Sequence, residues 1–295
     1  MANNLGGLSL AAIAQETLIT LQAQMPLLSR FSTDFSAEIK QPMESITTRA
    51  ANASSAADVG ANGFEAADAV STAKTITLDK WVHVTHAFSM KEIADNGLNL
   101  LRRTFIEPAA YGIVNRVLDD VFAQVTAANY SSSSAIDSSS WNADSVVDVA
   151  KTLSEAGVPR QDRTLLVNPT YFAQLAKDDA IQNSAAYGGN DVVRDNSIGT
   201  VHGLGVVEYA DLPDNSENLV GMGLHKSAVL IGSRLPDTAN DGSVNVENVI
   251  DPDTGFGFQL REWTENKEAK VYITACAMYG TAVGNAAALH RVTSA

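Results

Sequence analysis

The chain has almost no cysteine: Cys276 is the only one in 295 residues. A lone thiol closes no internal disulfide, which excludes the small cross-linked domains of oxidising compartments. Cys276 sits in Val271-Tyr272-Ile273-Thr274-Ala275-Cys276-Ala277-Met278-Tyr279, a run that reads as a buried strand. A thiol there is expected to be a small core residue rather than a nucleophile. Positive charge is also scarce. Lys and Arg number 20 against 34 Asp and Glu, a formal net charge of −14. A surface of that sign repels phosphate and disfavours a sequence-reading nucleic-acid binder, although a protein that merely encloses DNA needs no such grip. Long hydrophobic runs are missing as well. Segment 8–28 is amphipathic and interrupted by Gln15, Glu16, Gln22 and Gln24, which fits neither a signal peptide nor a membrane span. What the chain does have is a 45% apolar fraction and only 18% charge, enough for a core of one or two compact units.

The usual marks of catalysis are missing too. There is no Gly-x-Ser-x-Gly elbow and no Gly-x-x-x-x-Gly-Lys-[Ser/Thr] loop. Gly203-Leu204-Gly205 and Gly221-Met222-Gly223 begin like a dinucleotide loop, but Glu208 and Lys226 stand where the third glycine would be. They read as turn or strand glycines. Asp237 to Gly242 matches a calcium loop at its first, fifth and sixth positions and fails at Ala239 and Asn248. Asp251-Pro252-Asp253-Thr254-Gly255 reads as a turn. His83 and His86, three apart on an expected strand, point to opposite faces and cannot pinch one metal. His83 beside Trp81 reads as a surface or interface histidine. His202, His225 and His290 are isolated. No catalytic, cofactor-binding or metal-binding residue is assigned.

Along the chain, 8–24 has helical spacing up to Pro26, and 27–47 reads as extended. Within segment 49–73, Val59 and Phe64 are two isolated apolar anchors. Ordering each residue costs about 1–2 kcal/mol of backbone entropy, and this stretch has little to offset it. It is expected to be mobile in a free subunit and fixed by a neighbour in an assembly. Lys74 to His86 alternates, with Ile76, Leu78, Val82 and Val84 on one face and Thr75, Thr77, Asp79, Trp81, His83 and Thr85 on the other. With an outgoing strand at 45–49, 45–86 would form one long β-hairpin.

Helical periodicity returns over 89–129. Pro108 either opens a helix or kinks a continuous one, and 108–128 is expected to be a helix of roughly 30 Å. Arg102-Arg103 is the only adjacent basic pair there. It reads as a solvated face or as an ion pair to an acidic neighbour, and Lys74 and Lys80 on the hairpin read likewise. The serine-rich 131–140 marks a linker. An α/β pattern follows: a helix capped by Asn142 or Asp144 and stopped at Gly157, a strand at 164–167, a helix opened by Asn168-Pro169, and strands at 206–209, 219–222 and 228–231. The last part, 241–290, reads as antiparallel β.

This order of parts resembles the HK97-like capsid fold, and within it the major capsid proteins of P22-type tailed phages. The residues that carry the resemblance are Lys80-Trp81-Val82-His83-Val84-Thr85-His86 leading into the long helix, that helix itself, Leu165-Leu166-Val167-Asn168-Pro169-Thr170-Tyr171-Phe172, and Gly203-Leu204-Gly205-Val206-Val207-Glu208-Tyr209 followed by Asp211-Leu212-Pro213. The resemblance implies an α+β fold with an N-terminal arm (1–44), an extended hairpin loop (45–88), a peripheral domain in two parts (89–140 and 241–295) carrying a spine helix, and an axial domain (141–240). It implies self-assembly into pentamers and hexamers of an icosahedral shell around double-stranded DNA contacted non-specifically. Portal, scaffolding and decoration proteins would be partners. Synthesis would be in a host cytoplasm, with no membrane step. Phe64, Lys74, Lys80, Arg102 and Arg103 are the expected interface residues. The chain opens directly on the arm, so a scaffolding protein is expected to be separately encoded. Two other readings stand: a cellular compartment shell of the same fold that loads enzymes, and an acidic α+β enzyme with an unrecognised site.

Overall fold

A computed structural model describes residues 27–51, 71–182, 198–237, 243–250 and 255–295. The strands in chain order are β1 (Ser32–Lys40), β2 (Ser45–Ala51), β3 (Ser71–Thr77), β4 (Lys80–Ser89), β5 (Ser133–Ala135), β6 (Arg163–Val167), β7 (Thr200–Val201), β8 (Leu204–Glu208), β9 (Leu219–His225), β10 (Val229–Pro236), β11 (Asn245–Ile250), β12 (Gly257–Glu265), β13 (Lys270–Val283) and β14 (Leu289–Thr293). The helices are α1 (Met90–Asn96), α2 (Leu98–Ala123), α3 (Ala143–Glu155), α4 (Pro169–Lys177) and the single turn α5 (Asp179–Gln182).

They form two six-stranded sheets and one hairpin. The first sheet runs β1-β10-β13-β12-β11, with β4 also on β13. β4 pairs with β13 from Lys270 to Tyr279, so β10 and β12 must follow one another along the opposite side of β13. That leaves β4 as an edge strand among the described residues. The second sheet runs β5-β14-β9-β6-β8-β7. β2 and β3 pair only with each other.

Local sequence explains the helices. Ser89 and Glu92 form a reciprocal cap on α1, and Asn142 and Ser145 do so on α3. Asn168 caps α4, with Pro169 in its first turn. Gly157, at φ +70°, ends the chain's run past α3. α2 passes straight through Pro108 as one helix of 26 residues, about 39 Å at 1.5 Å per residue. It is longer than the expected 108–128 and stops earlier, at Ala123. Its end is fixed by the second sheet's loops. The Asn215 side chain donates to the Phe122 and Val125 carbonyls at 2.9 and 2.7 Å. The Glu217 carboxylate accepts from the Ala127 N–H and pairs with the buried Arg291. In the last turn of α2, the buried Tyr279 hydroxyl donates to Asp120 at 2.6 Å, and burial with that bond pushes the phenol pKa up. One continuous apolar core therefore runs from β4 and β13 through Ile113, Val117 and Val121 of α2 to β6 and β9.

Three differences from the sequence reading have physical causes. The alternating run 74–86 is two strands, and the strand that pairs with β2 ends at Thr77 rather than running on to 86. At the break the Leu78 N–H donates to the Glu44 carbonyl at 2.8 Å and the Met43 N–H donates to the Leu78 carbonyl at 2.9 Å. Past them the chain trades β2 for β13. Ile76 and Leu78 stay buried and Val82 and Val84 pack on the core, so the face assignment survives the break. The last part of the expected arm is woven into the first sheet, where β1 pairs parallel to β10. Finally, β10 lies in the first sheet while β5 and β14 lie in the second. The expected divisions at 140 and 240 therefore do not follow sheet membership. The expected helix at 8–24 and the calcium-like loop from Asp237 lie wholly or mostly outside the described residues.

Candidate assembly interface

The hairpin is rooted on a gap in the first sheet. Gly232 of β10 and Gly280 of β13 are register partners. A Cβ on Gly280 would collide with the Thr77 carbonyl oxygen, and one on Gly232 would press the Ile46 side chain at 3.0 Å. Two paired glycines thus let Ile46, Ile76 and Thr77 settle onto the sheet. Away from that root the strands turn Ser45, Thr47, Ala73 and Thr75 to solvent. A two-stranded ribbon of this kind has little stability of its own in water.

Lys74 lies on β3 opposite Thr48. Lys80 starts β4 and pairs with its neighbour Asp79 at 3.8 Å, both side chains well exposed, an arrangement that contributes little. Arg102 and Arg103 lie in the N-terminal half of α2. These four positions fall on three different elements. Phe64 lies outside the described residues.

The structure draws together another set. On the face of the first sheet turned away from α2, Trp81, His83 and Thr85 of β4, Thr274 and Cys276 of β13, and Arg261 and Trp263 of β12 line a groove of about 380 Å³. The Arg261 guanidinium lies 5.5 Å from the Trp81 ring centre. Trp263 stacks on Tyr272, centroids 5.2 Å apart and planes 4° from parallel. Thr85 and Thr274 hydroxyls bond across the strands at 2.8 Å, and His83 Nδ1 meets Thr85 at 3.0 Å. Arg261 Nε donates to Gln259 at 2.7 Å, and Gln259 donates onward to Asn248 at 2.8 Å. Arg261 Nη2 is buried without an acceptor among the described residues. Trp81 is 47% exposed. Cys276 forms the floor, and burial pushes its thiol pKa up, so it stays protonated and inert at neutral pH.

The face is therefore an aromatic and cationic surface with one unmet donor, suited to an extended segment that brings an acceptor. The alternation of β4 already placed Trp81 and His83 together on the outer face. Arg261 and Trp263 carried no local signal, because only the pairing of three distant strands brings them there. His86, on the opposite face, packs against Phe105 and Phe88 at ring distances of 5.3 and 6.3 Å. Gly203 sits in the β7–β8 turn at φ +84°, and Gly221 and Gly223 lie within β9. Among the described residues no cluster of His, Cys, Asp or Glu could hold a metal ion. No described helix is long and apolar enough to cross a membrane.

No family model matches the chain, and no curated protein does either. Solved structures do. The chain is similar to the capsid structure of the cyanophage P-SCSP1u, at 13% identity and a TM-score of 0.64, over 90% of this chain and 86% of that one. It is similar to the mature capsid of bacteriophage PhiM1 at 11% identity and a TM-score of 0.60, over 90% and 86%. A structure from Mycobacterium phage Che8 matches at 18% identity and a TM-score of 0.55, over 84% of each chain.

Proposed function

We propose that this chain, whose α+β fold is that of phage capsid subunits, is the major capsid protein of a tailed double-stranded-DNA phage. In this reading it assembles with itself into pentamers and hexamers of an icosahedral shell, is made in the host cytoplasm, and ends in the virion. The observation that carries the reading is the shared fold, matched over most of this chain and most of each capsid chain. The bare hairpin and the half-open groove agree with it, since both leave contacts for a second copy to complete. The role here is structural, and the enzyme-loading compartment is the less favoured relative.

Within that shell, 1–44 and 45–88 reach across to neighbours, 141–240 meets around the capsomer axis, and 89–140 with 241–295 forms the periphery. Phe64 anchors in a neighbour's surface, and the Trp81–Arg261–Trp263 groove is the face that fits it. Segment 52–70 brings Asp58, Glu65 and Asp68 and no Lys or Arg, so Glu65 beside Phe64 supplies an acceptor for Arg261. Lys74, Lys80, Arg102 and Arg103 contribute rim contacts to acidic neighbours. Portal, scaffolding and decoration proteins and the enclosed DNA are the remaining partners.

The test is to express the chain alone and with its genomic neighbours, and to follow it by sedimentation and negative-stain microscopy. Closed shells or capsomer rings are expected. A protein that stays monomeric or dimeric under every condition sinks the reading.

A further inference from the structure

We propose that the cleft between α3 and the β7–β8 turn binds a phosphate ester. The cleft has a volume of about 630 Å³ and is lined by Val147, Ala150, Lys151, Ser154, Glu155, Arg160, Arg163, His202 and Gly203, a size suited to a ligand such as a nucleotide. Its charge runs against that of the whole chain. Lys151, Arg160 and Arg163 face one carboxylate, Glu155, in a protein whose net charge is −14.

Arg163 decides the argument. It is only 6% exposed. Its guanidinium donates to the Pro159 carbonyl at 2.8 Å, the Ala150 carbonyl at 3.2 Å, the Ser154 hydroxyl at 3.0 Å and the Val158 carbonyl. Every one of these acceptors is neutral. Among the described residues, no carboxylate lies within 4.0 Å of Arg163 or Arg160. A buried cation held only by neutral acceptors keeps its full charge and lends it to the cleft. Burial and the like charge of Arg160 both work against the protonated form, without a compensating anion. Among the described residues Lys151 is held only by Glu155 at 3.9 Å, with both side chains two-thirds exposed, a contact that a stronger anion displaces readily.

The parts have distinct roles. Arg160 and Lys151, both exposed, take the phosphate oxygens. Arg163, whose donors are committed, acts as a fixed charge beneath them. Val147, 40% exposed, and Ala150 provide an apolar wall for a sugar or base. Two sources share this chemistry: the backbone of enclosed DNA and a free nucleotide. Only the DNA source rests on the capsid reading.

The experiment titrates the purified chain with adenosine monophosphate, inorganic phosphate, a short DNA duplex and polyglutamate, by calorimetry at low and high salt. The variants are Lys151→Ala/Arg160→Ala and, as a control on α1, Lys91→Ala. Circular dichroism melting confirms that each is folded. The double variant is expected to weaken phosphate-ester binding about tenfold or more, while Lys91→Ala leaves it unchanged. Binding of adenosine monophosphate identifies a nucleotide site. Binding of duplex alone, with a steep salt dependence, identifies the DNA backbone. The proposal is overturned if the wild-type chain binds neither at millimolar concentration, if the folded double variant binds as well, or if polyglutamate binds more tightly. Failure to form shells would overturn the capsid reading and leave the nucleotide arm of this test intact.

Discussion

The two sheets are of equal size and are finished differently. In the second, all five residues of β6 are buried, and so are six of the seven in β9. Gly223 of β9 leaves no room for a Cβ against the Val149 side chain, so α3 presses closely on that sheet. In the first sheet β4 alternates, packing Val82 and Val84 inward and turning Trp81, His83 and Thr85 out. The centre of the second sheet is covered by its own chain, while the first has an aromatic face and a hairpin that its own described residues leave open. Stability and assembly should therefore be separable: mutations in the second sheet should strike folding, and those on the open face should strike association.

The largest effect is expected at Leu166, fully buried in β6. Leu166→Ala removes three heavy atoms from a close-packed site and should cost about 2–5 kcal/mol in urea unfolding. A cost under about 1 kcal/mol would mean that the second sheet is not the tighter of the two. The hairpin root comes next. Gly280→Ala drives a Cβ into the Thr77 backbone carbonyl and should cost about 1–3 kcal/mol, while Gly232→Ala meets only the movable end of Ile46 and should cost less. Hydrogen exchange should show faster opening of β2 and β3 in the Gly280 variant. Equal effects at the two glycines would show that the hairpin does not sit on this window.

Acid offers a third way to separate the sheets. His290 of β14 is 3% exposed, with its two ring nitrogens 2.7 and 2.8 Å from the Ser132 and Ser134 hydroxyls. Burial, then the nearby Arg291, holds its pKa below the ordinary 6.5. Between the lowered folded value and 6.5 the unfolded chain binds more protons, so the stability from neutral His290 is present above 6.5 and is lost as pH falls through the folded value. His290→Gln should flatten that part of the stability profile. An unchanged slope in the variant would assign the acid sensitivity to other groups.

How much of this was legible in the sequence depends on the range of the signal. Asn142, Gly157 and Asn168-Pro169 act within a few residues, and the helices they bound lie where their pattern places them. Alternation reports which face is buried but not which strand is the partner. That is why 74–86 gave the right inward residues and the wrong length of strand. Partner choice here spans the chain: β1 finds β10, β5 finds β14, and β4 finds β13. The groove is out of reach of local pattern for the same reason. Lys74, Lys80, Arg102 and Arg103 stand out locally by charge and by their place on the hairpin and long helix, whereas the groove is assembled from 81–85, 261–263 and 274–276, which only the register β4-β13-β12 brings side by side.

The smallest expected change in stability is also the sharpest test of the open face. Among the described residues Arg261 buries Nη2 without an acceptor, and an unmet buried donor costs roughly 1–3 kcal/mol. Its stacking on Trp81 and its bond to Gln259 offset part of that. Arg261→Met keeps an apolar stem over Trp81, removes the orphan donor and loses the Gln259 contact. The terms nearly cancel, so the free subunit's unfolding should move by less than about 1 kcal/mol. Association should behave otherwise. If a neighbour's carboxylate completes Arg261, the variant should sediment as free subunits at concentrations where the parent chain forms rings or shells. Glu65→Gln should weaken assembly in the same direction, and the double variant should add little, because both changes remove one contact. A destabilised monomer with unimpaired assembly would place Arg261 in the fold's own support and close the face that the comparison leaves open.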